Sequence, residues 1–241
     1  MTSRWRKLRQ EARTAVTAGL QVGRSLLVPP FHRTTVSADT AKAIQACAGW
    51  LEGYLGQPHA ELGRNGEICP YIKSALRKDH VSYRCYDAAT TLTAREISDI
   101  FLFECLALER LLEPQDADAD MTAICVLFPR LREADYPRMA EAHGRAKGAL
   151  MSRGVMLAVF YPGYEKEALY NPAFKLYQSP FPVAALRPMA IRDIPFLEYN
   201  REAFGEYRRR FGEEFAAGKV SNKFGHVDRF REAEKRFSDL R

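Results

Sequence analysis

Nowhere in the 241 residues is there a run of about 18 apolar residues, so no segment reads as a membrane-spanning helix. No two of the five cysteines stand in C-x-x-C spacing, which excludes zinc-ribbon and thioredoxin-type redox motifs. The phosphate-binding loop, G-x-G-x-x-G, G-x-S-x-G and H-E-x-x-H are all missing, and with them the readiest sequence routes to nucleotide, acyl-transfer or zinc-protease chemistry. Internal repeats and low-complexity tracts are absent too. What remains is ordinary globular composition, 46% hydrophobic and 27% charged.

The formal net charge of +6 is unevenly placed. Residues 1–33 hold seven basic side chains (Arg4, Arg6, Lys7, Arg9, Arg13, Arg24 and Arg33) against Glu11, so the rest of the chain is formally neutral. A nucleic-acid-binding role is not expected, because such domains carry a basic face on the fold itself. Trp5, Leu8, Ala12, Val16 and Leu20 recur at helical spacing. Residues 1–27 therefore read as a basic amphipathic arm that lies on an anionic membrane surface or packs on the body or a protein partner. It is Arg-rich like an organellar presequence but has no secretory apolar core, and a cytoplasmic location is the default expectation.

Hydrophobic periodicity predicts an α/β fold. A helix over about 38–55 starts at Ser37 and stops at Gly56 and Pro58, and a helical turn follows Pro70. VSYRCYD at 81–87 alternates like a strand, and 94–112 is a helix opened by a Thr93/Glu96 capping box. A charged turn at 114–120 leads to a strand at 121–128, a helix over 133–153 and a buried strand at 155–161. VAALRPM at 183–189 is a last strand that Pro188 places at an edge or ends. Asp193 is expected to cap a helix over 194–217, and 223–240 forms a final amphipathic helix. The βαβαββα order suits a three-layer α/β sandwich, of which a thioredoxin-like arrangement is one solution. The expected organisation is a basic arm at 1–33, one α/β domain at 34–220 and a C-terminal helix at 221–241.

The segment HAELGRNGEICP at 59–70 concentrates His59, Glu61, Arg64 and Cys69 around two glycines. Cys47, Cys85, Cys105 and Cys125 fall on helix or strand patterns and read as buried thiols, whereas Cys69 lies in a turn. Three roles stay open for Cys69: structural thiol, axial thiolate ligand to haem, or nucleophilic or redox thiol. Arg64, Lys73, Arg77 and the helix start after Pro70 are the groups expected to lower its pKa. His59 and Glu61, two apart, would share one side of an extended segment as a proton-transfer pair, or anchor the loop. Arg64, on a glycine-flanked turn, reads as a substrate-binding group for an anion, or as a clamp on a carboxylate of the protein itself. Arg187, Arg192 and Asp193 gather where the last strand meets the next helix and read as substrate-binding groups, or as an ion pair with a cap. His143 and Lys147 share a helix face, while His32, His80 and His226 stand alone.

Four blocks, ELGRNGEICPY at 61–71, GVMLAVFYPG at 154–163, NPAFKLYQSPFPVAALRPM at 171–189 and IRDIPFL at 191–197, carry a family resemblance. The chain resembles an uncharacterised bacterial domain family with an ELGR-x-G-x-x-CP signature, met mainly in actinobacteria and often beside natural-product biosynthesis genes. The resemblance covers about residues 55–200. It implies that Arg64, Cys69, Pro70, Arg187 and Asp193 belong to a shared pattern and that the protein has a tailoring role in specialised metabolism. The expected function is a tailoring or redox enzyme acting on a small molecule, with Cys69 holding haem or reacting directly. The alternative is a non-catalytic binding or adaptor protein docked through its basic arm.

Overall fold

The computed structural model describes residues 37–86, 88–112 and 121–238. The basic arm and the charged turn at 114–120 lie outside the described residues. Ser37 opens helix α1 (Ala38–Trp50), its hydroxyl accepting the Thr40 N–H at 3.0 Å. The helix then widens into a π turn over Leu51–Leu55, where the Gly56 N–H reaches back five residues to the Leu51 carbonyl at 2.8 Å. A short helix α2 (Ile72–Arg77) follows Pro70.

Four strands form one mixed sheet: β1 (Val81–Cys85), β2 (Ala123–Leu127), β3 (Val155–Phe160) and β4 (Val183–Pro188). Their order is β1-β2-β4-β3, with β1 and β2 parallel and β4 antiparallel to both neighbours. Helices α3 (Ala94–Leu111) and α4 (Pro137–Met151) cover one face, bringing Ile97, Phe101, Leu108, Met139 and Leu150 onto Ile124, Val126 and Leu186. Each such side chain contributes roughly 1.5–3 kcal/mol through burial. α1 and α2 cover the other face, placing Cys47, Leu51 and Ile72 on Tyr83, Cys125 and Val183. The result is a mixed α/β fold with a doubly covered sheet.

Two expectations change, and a third, the place of Pro188, resolves to the end of its strand and not to a sheet edge. β1 was read as alternating, yet all five of its residues are buried, because α3 lays Glu104 against the side that Arg84 occupies. β4 lies inside the sheet. Pro188 is tolerated at its end because the ladder with β2 stops at Leu186, so no partner on that side misses its N–H. The helix expected over 194–217 is two pieces, a 3₁₀ segment Ile191–Phe196 that contains Pro195, then α5 (Arg201–Ala216). Asn200, not Asp193, caps α5, its Oδ1 accepting the Ala203 N–H at 2.8 Å. Helix α6 (His226–Arg236) stacks Phe230 on Phe215 with centroids 4.0 Å apart, closing a smaller core with Phe204, Tyr207 and Leu197.

Candidate functional site

The loop 57–69 is tied at its neck. Pro58 and Glu67 form an antiparallel bridge, the Ile68 N–H donates to the Gln57 carbonyl at 3.0 Å, and the Cys69 N–H donates to Leu55 at 2.8 Å. Gly63 adopts φ 75°, and a Cβ there would lie 2.7 Å from the Tyr170 carbonyl oxygen, so glycine is required by both backbone and space. Arg64 fills the loop: Nη1 donates to Asn65 O at 3.0 Å, and Nη2 donates to Glu67 O at 2.9 Å and Ile68 O at 3.0 Å. It clamps carbonyls of its own turn, where a carboxylate partner was expected.

His59 and Glu61 are not on an extended segment. Ala60–Leu62 is a 3₁₀ turn, and the His59 Nδ1 accepts the Glu61 backbone N–H at 3.2 Å, while its ring stacks on Phe174 at 4.3 Å. The Glu61 side chain is exposed and its carbonyl accepts from Asn171 Nδ2 at 2.7 Å. The imidazole thus works on the backbone of the turn and not on the carboxylate of Glu61. Leu62, buried against Ala168 and Phe174, supplies the apolar reason for the turn to close.

Cys69 leaves this neck facing a second group of predicted residues. On β4 the positions Val183, Ala185 and Arg187 share the face that looks toward α1 and α2. Arg187, last of the three, is bound by Asp193 through two bonds, Nη1 to Oδ2 at 2.7 Å and Nη2 to Oδ1 at 2.5 Å. Asp193 Oδ2 also accepts the Ala190 N–H at 2.8 Å, so its carboxylate caps the 3₁₀ segment while holding the arginine. The guanidinium lies 4.8 Å from the Tyr71 ring centroid. Cys69, Tyr71, Arg187 and Asp193 form one corner, with the Tyr207 hydroxyl donating nearby to Ile191 O at 2.5 Å.

Electrostatics in this corner oppose one another. Burial pushes the Cys69 thiol up, as does Asp193, while the Arg187 charge and the backbone N–H groups of Tyr71 and Ile72 pull it down; the net shift is upward. Cys69 is therefore a thiol at neutral pH. It is polarised by Arg187 and not by Arg64, Lys73 or Arg77. Burial and Asp193 push Tyr71 up to about 12, against Arg187 and Arg192. Burial opposes the Arg187 charge, but Asp193 outweighs it and holds the guanidinium protonated. Arg192 is exposed and close enough to affect Tyr71 and His226.

Folding thus unites Cys69 with Arg187, Arg192 and Asp193 and leaves His59, Glu61 and Arg64 in the adjoining loop. Tyr71 and Tyr207 had no assigned role. The available signal was Arg187 itself, a charge at an inward strand position that demanded buried partners. Cys47, Cys85, Cys105 and Cys125 are buried and outside any disulfide, as expected. Among the described residues no three His, Cys, Asp or Glu side chains converge as a metal cage.

Residues 41–222 match the model of a domain of unknown function, DUF6875. The chain belongs to that family. The match runs from α1 through α5, wider than the four blocks that first suggested the resemblance, and it contains the whole Cys69–Arg187 corner. No curated protein and no solved structure matches the chain. No helix among the described residues is long and apolar enough to cross a membrane.

Proposed function

We propose that this protein acts on a small molecule through Cys69, as a tailoring or redox enzyme of bacterial natural-product metabolism working in the cytoplasm. The observation that carries this reading is the corner in which Cys69 meets Tyr71 and the Arg187–Asp193 pair. A thiol, a phenol and a fixed cation side by side are able to hold a substrate and move a proton. Arg187 is fully engaged by Asp193, so Arg192 is the cation left to meet an anionic group of the substrate. His59, Glu61 and Arg64 hold the loop that delivers Cys69.

The donor chemistry also fits haem. Cys69 would hold the iron through its thiolate, and the Tyr71 and Ile72 N–H groups with the Arg187 charge are the kind of surroundings that stabilise a bound thiolate. Bound haem would supply one-electron and oxygen chemistry. Burial keeps the free sulfur protonated until something replaces the proton.

A second reading is a non-catalytic binding or adaptor protein docked through residues 1–27. Its support is that Arg64 spends three hydrogen bonds, and Arg187 its bidentate fork, on the protein itself. Titration with haemin and with a thiol reagent separates the two. The enzyme reading expects a Soret band lost in Cys69→Ala, or alkylation confined to Cys69. Protein that binds no haemin and whose Cys69 stays inert supports the adaptor.

A further inference from the structure

Sequence spacing leaves His226 without a companion, and folding gives it one. Helix α6 packs along the 3₁₀ segment Ile191–Phe196: Phe230 and Ala233 share a core with Ile194 and Leu197, and Arg229 donates to Glu198 Oε1. His226 is the first residue of α6 and is 7% exposed, yet its ring makes no hydrogen bond among the described residues. A polar ring so deeply placed and without a partner is the exception in a folded protein.

The charged groups that reach this ring come from both elements. Arg192 and Asp193 approach from the 3₁₀ segment and Arg229 from α6 itself. Two of the three are already spent: Asp193 holds Arg187 and the Ala190 N–H, and Arg229 is paired with Glu198. Asp228, one turn into α6, is held by Asn222 Nδ2 at 2.8 Å, and from the preceding loop Phe224 comes within 5.9 Å of the imidazole with Lys223 over its ring. Arg192 is different. It is exposed and has no carboxylate within 4.0 Å among the described residues. Its charge acts on Tyr71 as well as on His226, which sets the free guanidinium and the unpartnered imidazole beside the Cys69 corner. His226 also stands at the positive end of α6, where negative charge is favoured. One free cation next to a neutral imidazole matches a single negative charge shared by two oxygens, whereas a dianionic phosphate would ask for a second cation.

We propose that Arg192 and His226 seat the carboxylate of a small organic acid beside the Cys69 corner. One carboxylate oxygen accepts from the Arg192 guanidinium and the other from the imidazole N–H. This names the substrate class of the proposed function and rests on that reading for what the bound acid undergoes; the binding is measurable without it.

The test is a titration of the intact protein with benzoate, followed by NMR of the His226 ring, with uncharged benzamide as the comparison. The His226 signal is identified by its loss in His226→Gln. Benzoate is expected to shift it saturably, to raise its pKa, and to bind at least tenfold more tightly than benzamide. The anion favours the imidazolium, so affinity should rise as pH falls from about 8 toward about 6, and His226→Gln should lose that slope. Arg192→Met should bind benzoate at least tenfold more weakly, and its His226 pKa without ligand should rise because a repelling cation is gone, which also reports that the variant has folded. No saturable shift in the wild type, equal binding of benzamide, or unchanged benzoate binding in Arg192→Met would overturn the proposal. Cys69→Ala should bind benzoate as the wild type does, so an inert Cys69 would sink the proposed function and leave this site standing.

Discussion

Two arginine–carboxylate pairs lie against opposite faces of the same sheet, and they are built differently. Arg84 and Glu104 meet at 3.5 Å with side chains 4% and 1% exposed; Tyr86 donates to Glu104 Oε1 at 2.7 Å, and Oε2 accepts no hydrogen bond from the described residues. Burial pushes Glu104 up, against Arg84 and Tyr86. Arg187 and Asp193 are joined by two short bonds, and the Ala190 N–H supplies a third. The first pair is a loosely satisfied strut between β1 and α3. The second is a satisfied charge held beside a thiol and a phenol, which is why the second belongs to the candidate site and the first to packing.

The largest effect should come from breaking the strut. Glu104→Ala strands Arg84 in the core, and urea unfolding should show a loss of about 3–5 kcal/mol. Replacing both partners, Arg84→Met with Glu104→Leu, should recover most of it. A loss under about 1 kcal/mol in the single variant would show that water reaches the pair in the folded protein.

Asp193→Ala should cost less, about 2–3 kcal/mol, since Arg187 is 22% exposed and water compensates it in part. The same variant removes an influence that raises Cys69 and frees the Arg187 charge, so the Cys69 pKa should fall, as read from the pH dependence of alkylation. The strut variant should leave Cys69 unchanged. That contrast sharpens the comparison more than either stability value.

Arg64→Leu should cost about 1–2 kcal/mol through its three lost carbonyl contacts and should admit protease within 59–66 while the sheet survives. The smallest effect is a pH dependence at His143, which faces only like charge. Its folded pKa is lowered, so the unfolded chain binds its proton first. Stability is then held above about 6.5 and lost as pH falls toward about 4. His143→Gln should flatten that limb, in urea midpoints across the range.

Much of the scaffold was legible because it rests on local chemistry. Thr93 and Glu96 form the capping box that their spacing announced, with the Glu96 N–H donating to Thr93 Oγ1 at 3.2 Å and the Thr93 N–H to Glu96 Oε2 at 2.9 Å. The apolar periods of α3, α4 and β3 were equally direct. The break between Phe196 and Arg201 was not, because an apolar stripe continued across it and hid Pro195 and the Asn200 cap. At the site, the individual residues were legible but their meeting was not. Cys69 reaches Arg187 only because the 57–69 neck closes onto Leu55 and β4 runs inside the sheet. Strand order is a tertiary fact that side-chain spacing does not encode.

The central claim is that burial keeps Cys69 a thiol and that the Arg187–Asp193 pair beside it tunes its pKa. It is tested most directly by the pH dependence of iodoacetamide alkylation at Cys69, followed by mass spectrometry, in the wild type, Asp193→Asn and Arg187→Lys. The account predicts a single reactive cysteine with a pKa above the ordinary thiol value, lowered in Asp193→Asn and raised in Arg187→Lys as the bidentate pairing that fixes the cation near the sulfur is lost. An unshifted Cys69 in both variants, or equal alkylation of Cys47, Cys85, Cys105 and Cys125 in the folded protein, would contradict it.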